Sequence, residues 1–274
     1  MSEVSEKWLD LSGKVAIVTG GSMGLGEKMV DSLAGNGAQV ISADVTETNN
    51  HDGKANVDTM ICDVANKKSV ESMIQQVVEK YGRIDVLVNN AGVSRPRMLV
   101  DYYGKKPEYE LSEEDFDFMT NVNQKGVFLC SQAAARVMIK QKSGVIINMS
   151  SEAGLEGSKG QSCYSGNKAA VHAFTKAWAK ELGAFNIRVI GVAPGVNERT
   201  PMNSEENFRA LNYTRGVDPE AVNDDYTGNY TDTIPLGRPG KMTEIADLIS
   251  YLSSDHASYI SGTTINITGA KSTR

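Results

Sequence analysis

The chain has 274 residues, 40% of them hydrophobic and 23% charged, enough to bury the core of one large α/β domain without disulfides or metals. Its formal net charge of −6 argues against a nucleic-acid or anionic-membrane partner, while leaving room for local basic pockets around an acidic ligand. Three cysteines without a Cys-x-x-Cys pair, three scattered histidines, an acidic N-terminal stretch and the lack of a long apolar run set aside a disulfide scaffold, a metal cluster, a signal peptide and a membrane span; a cytoplasmic location is expected.

Residues 14–19 form an apolar, β-branched run that stops at glycines, as a buried strand does. Leu25, Met29, Val30 and Leu33 give residues 24–36 a helical period, and Gly35-Asn36-Gly37 supplies the stop. A second strand is expected at 38–43, an amphipathic helix at 69–81 ending at Gly82, and another apolar strand at 84–88. A long helix spans 112–142, opened by Ser112-Glu113-Glu114-Asp115, a capping pattern with acidic residues at the positive helix end. A strand at 144–149, a helix at 162–183, a strand at 188–192, a helix at 243–253 and a strand at 263–268 follow. Strands apolar on both faces that alternate with helices predict a parallel sheet with helices on each side. Residues 94–109 and 197–241 break this alternation and read as a substrate loop and a substrate lid.

Thr19-Gly20-Gly21-Ser22-Met23-Gly24-Leu25-Gly26 lies between the first strand and the first helix. Glycines at that turn let backbone N–H groups and the helix N-terminus meet a pyrophosphate, so Gly20, Ser22, Met23, Gly24, Leu25 and Gly26 are candidate cofactor contacts. Asp44 ends the second strand, where a carboxylate accepts ribose hydroxyls and repels a 2′-phosphate. With no Arg or Lys in the glycine loop or directly after Asp44, the expected cofactor is NAD (NADH) rather than its phosphorylated form. Asp63, with Val64 beside it, is a candidate for the adenine amino group. Asn90, Ala91 and Gly92 follow the next strand, where small residues suit close approach by a ligand. Ser151 ends the strand after that and is a candidate to orient a carbonyl or alcohol. Tyr164 and Lys168 are four residues apart and share a helix face, where an ammonium favours phenolate and tunes the tyrosine as a proton carrier. Each feature alone has a plain structural account: a tight turn, a capping Asp, a loop Ser, a solvated Lys. Their placement at successive strand ends favours one shared crevice.

Taken in order, Thr19-Gly-x-x-x-Gly-x-Gly26, Asn89-Asn90-Ala91-Gly92, Asn123 within Asn121-Val122-Asn123-x-x-Gly126-Val127-Phe128, Ser151, Tyr164-x-x-x-Lys168 and Pro194-Gly195 resemble the short-chain dehydrogenase/reductase superfamily over essentially the whole chain. The resemblance implies an α/β fold of Rossmann type, doubly wound, with a mostly seven-stranded parallel sheet, as a single domain over residues 1–274. It implies Tyr164 as catalytic acid/base, Ser151 as holder of the substrate oxygen, Lys168 as the group that lowers the tyrosine pKa and binds the nicotinamide ribose, and Asn123 as holder of a water linking Lys168 to solvent. Pro194, Gly195 and Thr200 would contact the nicotinamide end, but Pro194 to Thr200 runs one residue longer than the family spacing. A homotetramer built through 112–142, 162–183 and 263–268 is also implied.

Residues 94–101, 123–132, 151–164 and 213–216 further resemble bacterial sorbitol-6-phosphate 2-dehydrogenases of the short-chain type. That resemblance implies a small-molecule partner, a polyol phosphate or sugar phosphate. Arginine forks suit a phosphate dianion, which makes Arg95, Arg97, Arg199 and Arg215 substrate candidates, with Glu152 accepting polyol hydroxyls. Each of these is equally readable as a surface or loop charge. An unphosphorylated polyol or sugar acid, an acyl-carrier-protein ketone and a catalytically inert dinucleotide sensor are the other readings. The lack of a basic residue after Asp44 opposes the ketone, and the intact Asn123, Ser151, Tyr164 and Lys168 oppose the sensor.

Overall fold

The fold follows from how the strands distribute their side chains. In the computed structural model, which describes residues 8–202, 204–220 and 230–273, seven strands form one sheet. They are β1 (Val15–Thr19), β2 (Gln39–Asp44), β3 (Val57–Ile61), β4 (Val86–Asn89), β5 (Gly144–Met149), β6 (Ile187–Pro194) and β7 (Thr264–Ile267). All neighbours pair in parallel, in the order β3-β2-β1-β4-β5-β6-β7. The helices are α1 (Gly24–Gly35), α2 (Lys67–Tyr81), α3 (Glu113–Thr120), α4 (Val127–Gln141), α5 (Glu152–Glu156), α6 (Ser162–Leu182), α7 (Glu205–Arg215) and α8 (Met242–Ser253).

Successive strand residues point to opposite faces, and here both faces are buried. Ile17, Ile41, Leu87, Ile146 and Val189 join one core with Met73 of α2 and Met138 of α4. Their neighbours Val18, Val40, Val88, Ile147 and Ile190 join the other, with Met29 and Leu33 of α1 and Ile249 and Leu252 of α8. That two-sided burial is why the strands read as continuous apolar runs. The strand order reverses at β1/β4, so the chain leaves these two strands in opposite directions and a crevice opens outside their carboxyl ends.

Three departures from the sequence reading stand out. The helix expected at 112–142 is three segments: α3, capped by Ser112 Oγ accepting from Asp115 N (3.0 Å), then a π-helical stretch at Asn121–Gly126, then α4. The stretch 197–241 carries the eleven-residue helix α7, opened by Ser204 Oγ on Asn207 N (3.2 Å) and closed by Gly216 in the left-handed region (φ 77°). A short helix, α5, also follows β5. Both helices were missed because their apolar content is low, so no periodic stripe announces them. Among the described residues, no helix is long and apolar enough to cross a membrane.

Candidate active site

The carboxyl ends of the strands open on one cleft of about 1410 Å³, larger than a typical small-ligand pocket and roomy enough for a dinucleotide with a small substrate. It is lined by every sequence-selected residue except Ser22, Asn123 and Arg199.

The glycine loop is held by close backbone packing. Gly20 has φ 64°, and a Cβ there would stand 2.9 Å from Ala91 Cα; a Cβ on Gly26 would stand 1.8 Å from Gly20 O. Neither position admits another residue without moving the backbone. Asn90 ties the loop to β4, its Nδ2 donating to Thr19 O and Gly20 O (both 3.0 Å). Thr19 Oγ1 accepts from the backbone N–H groups of Asn90 (3.0 Å) and Ala91 (3.1 Å). Ser22 sits behind the loop rather than in the cleft: its hydroxyl donates to Asp44 Oδ2 (2.5 Å) and its N–H to the same oxygen (3.2 Å). Asp44 Oδ1 accepts from Val45 N (2.7 Å), so the carboxylate is fixed at the end of β2. Asp63 makes a local turn, accepting from Ala65 N (2.9 Å), and still borders the cleft with Val64. Thr200 reaches the glycine loop despite the extra residue, lying 3.4 Å from where a Gly24 Cβ would stand. These features fit a dinucleotide: a cradle that a Cβ would fill, a helix N-terminus behind it, and a fixed carboxylate at the ribose end.

α6 presents Tyr164 and Lys168 one turn apart, yet the phenol shifts in the direction opposite to the one expected. Lys168 Nζ lies 5.7 Å from the Tyr164 ring centroid and donates to Met149 O (2.7 Å). Burial governs both groups. It pushes the Tyr164 pKa above the ordinary phenol value, with the Glu152 charge adding to the rise and the Ser151 hydrogen bond opposing it. It brings Lys168 down to about 8. Sequence spacing placed the two groups on one face; the dry floor of the cleft decided their proton affinities.

Ser151 caps α5 by accepting from Ala153 N (3.2 Å) and hydrogen-bonds the Tyr164 side chain, so both reach the same spot from β5 and α6. Asn123 is fully buried in the π-helical stretch. Its Nδ2 donates to Val93 O and its Oδ1 accepts from Val93 N, both at 2.8 Å, which fixes the chain beyond Gly92. A Cβ on Gly92 would stand 3.2 Å from Asn123 Oδ1 and 3.6 Å from Lys168 Nζ, so Asn123 and Lys168 flank that glycine. π-helical turns recur at functional sites, and this one aims an interior side chain that a regular helix would turn elsewhere.

The substrate candidates divide. Arg95 and Arg97 border the cleft but share one carboxylate, Asp115, at 2.6 and 2.7 Å, and Arg95 also stacks on Phe118 at 4.1 Å. Arg199 lies outside the cleft lining, over the ring of Phe208 at 5.8 Å, because the loop carrying it turns its guanidinium towards α7. Arg215 lines the cleft and donates to Ser158 Oγ (3.4 Å). Glu152 is bound at Oε1 by Lys271, and its Oε2 is buried with no hydrogen-bond partner. Asn207, Phe208 and Leu211 of α7 and Lys271 of the C-terminal segment also line the cleft. The Ser204 cap could have signalled α7; nothing local marks Lys271.

Residues 14–210 match the family model described as short chain dehydrogenase. With the crevice, the glycine cradle and the serine–tyrosine–lysine floor in one place, the chain belongs to the short-chain dehydrogenase family, a class of oxidoreductases. Among its relatives, a sorbitol-6-phosphate 2-dehydrogenase of Klebsiella pneumoniae is 48% identical over 96% of this chain and 98% of its own. A 3-oxoacyl-[acyl-carrier-protein] reductase of Thermotoga maritima is 40% identical over 94% of this chain and 98% of its own. The crystal structure of levodione reductase superposes with a TM-score of 0.82 at 30% identity, covering 95% of this chain and 98% of the other.

Proposed function

We propose that the chain, as one dinucleotide-binding domain, interconverts D-sorbitol 6-phosphate and D-fructose 6-phosphate with NAD and NADH, as a cytoplasmic homotetramer. The observation that carries the substrate is the 48% identity to a sorbitol-6-phosphate 2-dehydrogenase over nearly the full length of both chains. Asp44 supports the cofactor choice: Ser22 fixes its carboxylate at the end of β2, and a carboxylate at that point of such a fold accepts ribose hydroxyls and repels a 2′-phosphate.

The dinucleotide, when bound, supplies the hydride acceptor or donor. Gly20, Met23, Gly24, Leu25 and Gly26 hold its pyrophosphate, Asp44 its adenosine ribose, Asp63 and Val64 its adenine, and Asn90, Ala91 and Gly92 its middle. Pro194, Gly195 and Thr200 hold the nicotinamide end, and Lys168 the adjoining ribose. Ser151 orients the substrate oxygen. Tyr164 takes the hydroxyl proton in oxidation and returns it in reduction. Asn123 acts at one remove, by fixing Val93 beside Gly92 and Lys168.

The test is a nucleotide-reduction assay with sorbitol 6-phosphate, sorbitol and other polyols, each with NAD and NADP. NAD-linked turnover preferring sorbitol 6-phosphate is expected; equal or better turnover of an unphosphorylated polyol, or a requirement for NADP, rejects the reading. The Thermotoga maritima relative favours a second reading, reduction of a 3-oxoacyl chain on an acyl carrier protein. Faster oxidation of NADPH with such a ketone than of NADH with fructose 6-phosphate would favour it.

A further inference from the structure

The end of the cleft beyond Ser151 carries a cation that the sequence motifs do not touch. β7 is parallel to β6 and pairs Ile267 with Pro194, so the chain leaves the sheet on the side where the cleft opens. It then turns sharply. Gly269 (φ 61°) and Ala270 (φ 68°) are both left-handed, a conformation an alanine rarely adopts. Lys271 N donates to Thr268 O (3.1 Å), Thr268 Oγ1 donates to Ser272 O (2.9 Å), and Ser272 N donates to Thr268 Oγ1 (3.3 Å). A Cβ on Gly269 would stand 2.7 Å from Ile234 Cγ2, so the turn is packed from outside as well. The result is a Lys271 ammonium in the cleft wall, bonded to Glu152, the residue next to Ser151.

Glu152 also faces a second cation. Its charge acts on Arg215, whose guanidinium lies in the same wall and donates to Ser158 Oγ (3.4 Å). Among the described residues Arg215 has no carboxylate within ion-pair distance. One carboxylate therefore faces two cations. Arg95 and Arg97 also share one carboxylate, the largely buried Asp115, but each is ion-paired to it, and Arg95 is stacked on Phe118 as well.

We propose that Lys271 and Arg215 together bind the phosphate of the substrate, with Glu152 as the positioning residue that holds the lysine in the cleft wall. This rests on the polyol-phosphate reading above. Lys271 keeps donors beyond the one given to Glu152, and Arg215 keeps most of its fork; a phosphate dianion accepts from both. Lys271 is paired with the chain neighbour of Ser151, and a six-carbon chain oxidised near one end carries its phosphate at the other.

Lys271→Met and Arg215→Met, assayed with NAD on sorbitol 6-phosphate and on sorbitol, test this. Each variant is expected to raise KM for sorbitol 6-phosphate ~10–100-fold, with NAD affinity near wild type and a much smaller change in KM for sorbitol. Lys271→Arg is expected to recover most of the loss, since it keeps the charge. Inorganic phosphate should inhibit the wild type in competition with substrate, and the Lys271→Met enzyme much less. If the wild type prefers sorbitol 6-phosphate while both methionine variants keep its KM, this inference fails and the functional reading stands. If the wild type shows no preference for the phosphorylated polyol, both fail. A variant that loses NAD affinity in step with substrate affinity would show a general structural role and also overturn the assignment.

Discussion

The two ends of the cleft are held by different kinds of contact. The dinucleotide end is made of strand ends and main chain: Gly20 against Ala91, Gly26 against Gly20 O, and Asn90 bonded to the loop's own carbonyls. The substrate end is made of side chains from segments distant in sequence. Tyr213 of α7 donates to Asp101 Oδ1 (2.7 Å) and packs against Tyr103 and Tyr109 at centroid distances of 5.3 and 5.2 Å, clasping the 94–109 loop to α7. Lys271 and Arg215 add charge from two further segments. A backbone cradle tolerates no added atoms and so recurs as a fixed motif. A side-chain clasp can be rebuilt residue by residue, which lets one cradle serve many substrates.

The largest effect should come where the two ends meet. Tyr164→Phe is expected to lower turnover by ~10²–10⁴-fold in both directions, while isothermal titration still shows NAD binding. The pH profile of the wild type should carry the sign of the raised phenol pKa. Because burial holds Tyr164 protonated through neutral pH, reduction, which needs the phenol, should persist there and fall on the alkaline side. Oxidation, which needs the deprotonated form, should rise as pH increases. An oxidation rate that peaks in acid would contradict that direction.

Gly26→Ala comes next, since its Cβ would meet Gly20 O at 1.8 Å. Overpacking of this kind costs ~1–3 kcal/mol or more, and both the melting temperature and NAD affinity should drop. If the backbone cradle were as adaptable as the substrate end, NAD affinity would survive. Asp44→Ala should weaken NAD by about tenfold, the loss of roughly one hydrogen-bonded charge, and narrow the gap to NADP; an unchanged NAD/NADP ratio of kcat/KM would remove Asp44 from cofactor selection. Tyr213→Phe should have the smallest effect. It removes one hydrogen bond, ~1 kcal/mol, and keeps the ring packing, so KM for substrate should rise a few-fold with kcat and NAD affinity unchanged. A change in NAD affinity instead would mean that the clasp supports the cradle too.

Legibility in the sequence follows the same division. Strand positions other than β3, the glycine loop, and the placement of Asp44, Ser151, Tyr164 and Lys168 are readable because each depends on local pattern: two-sided burial, a required glycine, a helical spacing of four. β3 was missed because its residues are half-buried or exposed. The helix over 113–141 was readable as one element, but not its π-helical step at Asn123, because a single extra residue in the helical ladder leaves no compositional mark. Arg95 and Arg97 were legible as basic residues beside the crevice. That both are engaged by Asp115, which lies 20 and 18 residues further along, was not.

What the sequence determined by itself is the layered α/β fold, the tight glycine loop and most of the side chains that gather at the strand ends, since these follow from the period of apolar residues and from chemistry within a few neighbouring positions. Tertiary structure alone decided the state and surroundings of those groups. Lys168 was expected to lower the pKa of Tyr164; burial of both on the cleft floor raised the tyrosine and brought the lysine to about 8. Lys271 entered the site because the last parallel strand ends at the crevice, and Arg199 left it for Phe208. Desolvation and long-range pairing depend on which surfaces meet in space, and neighbours in sequence carry no record of that.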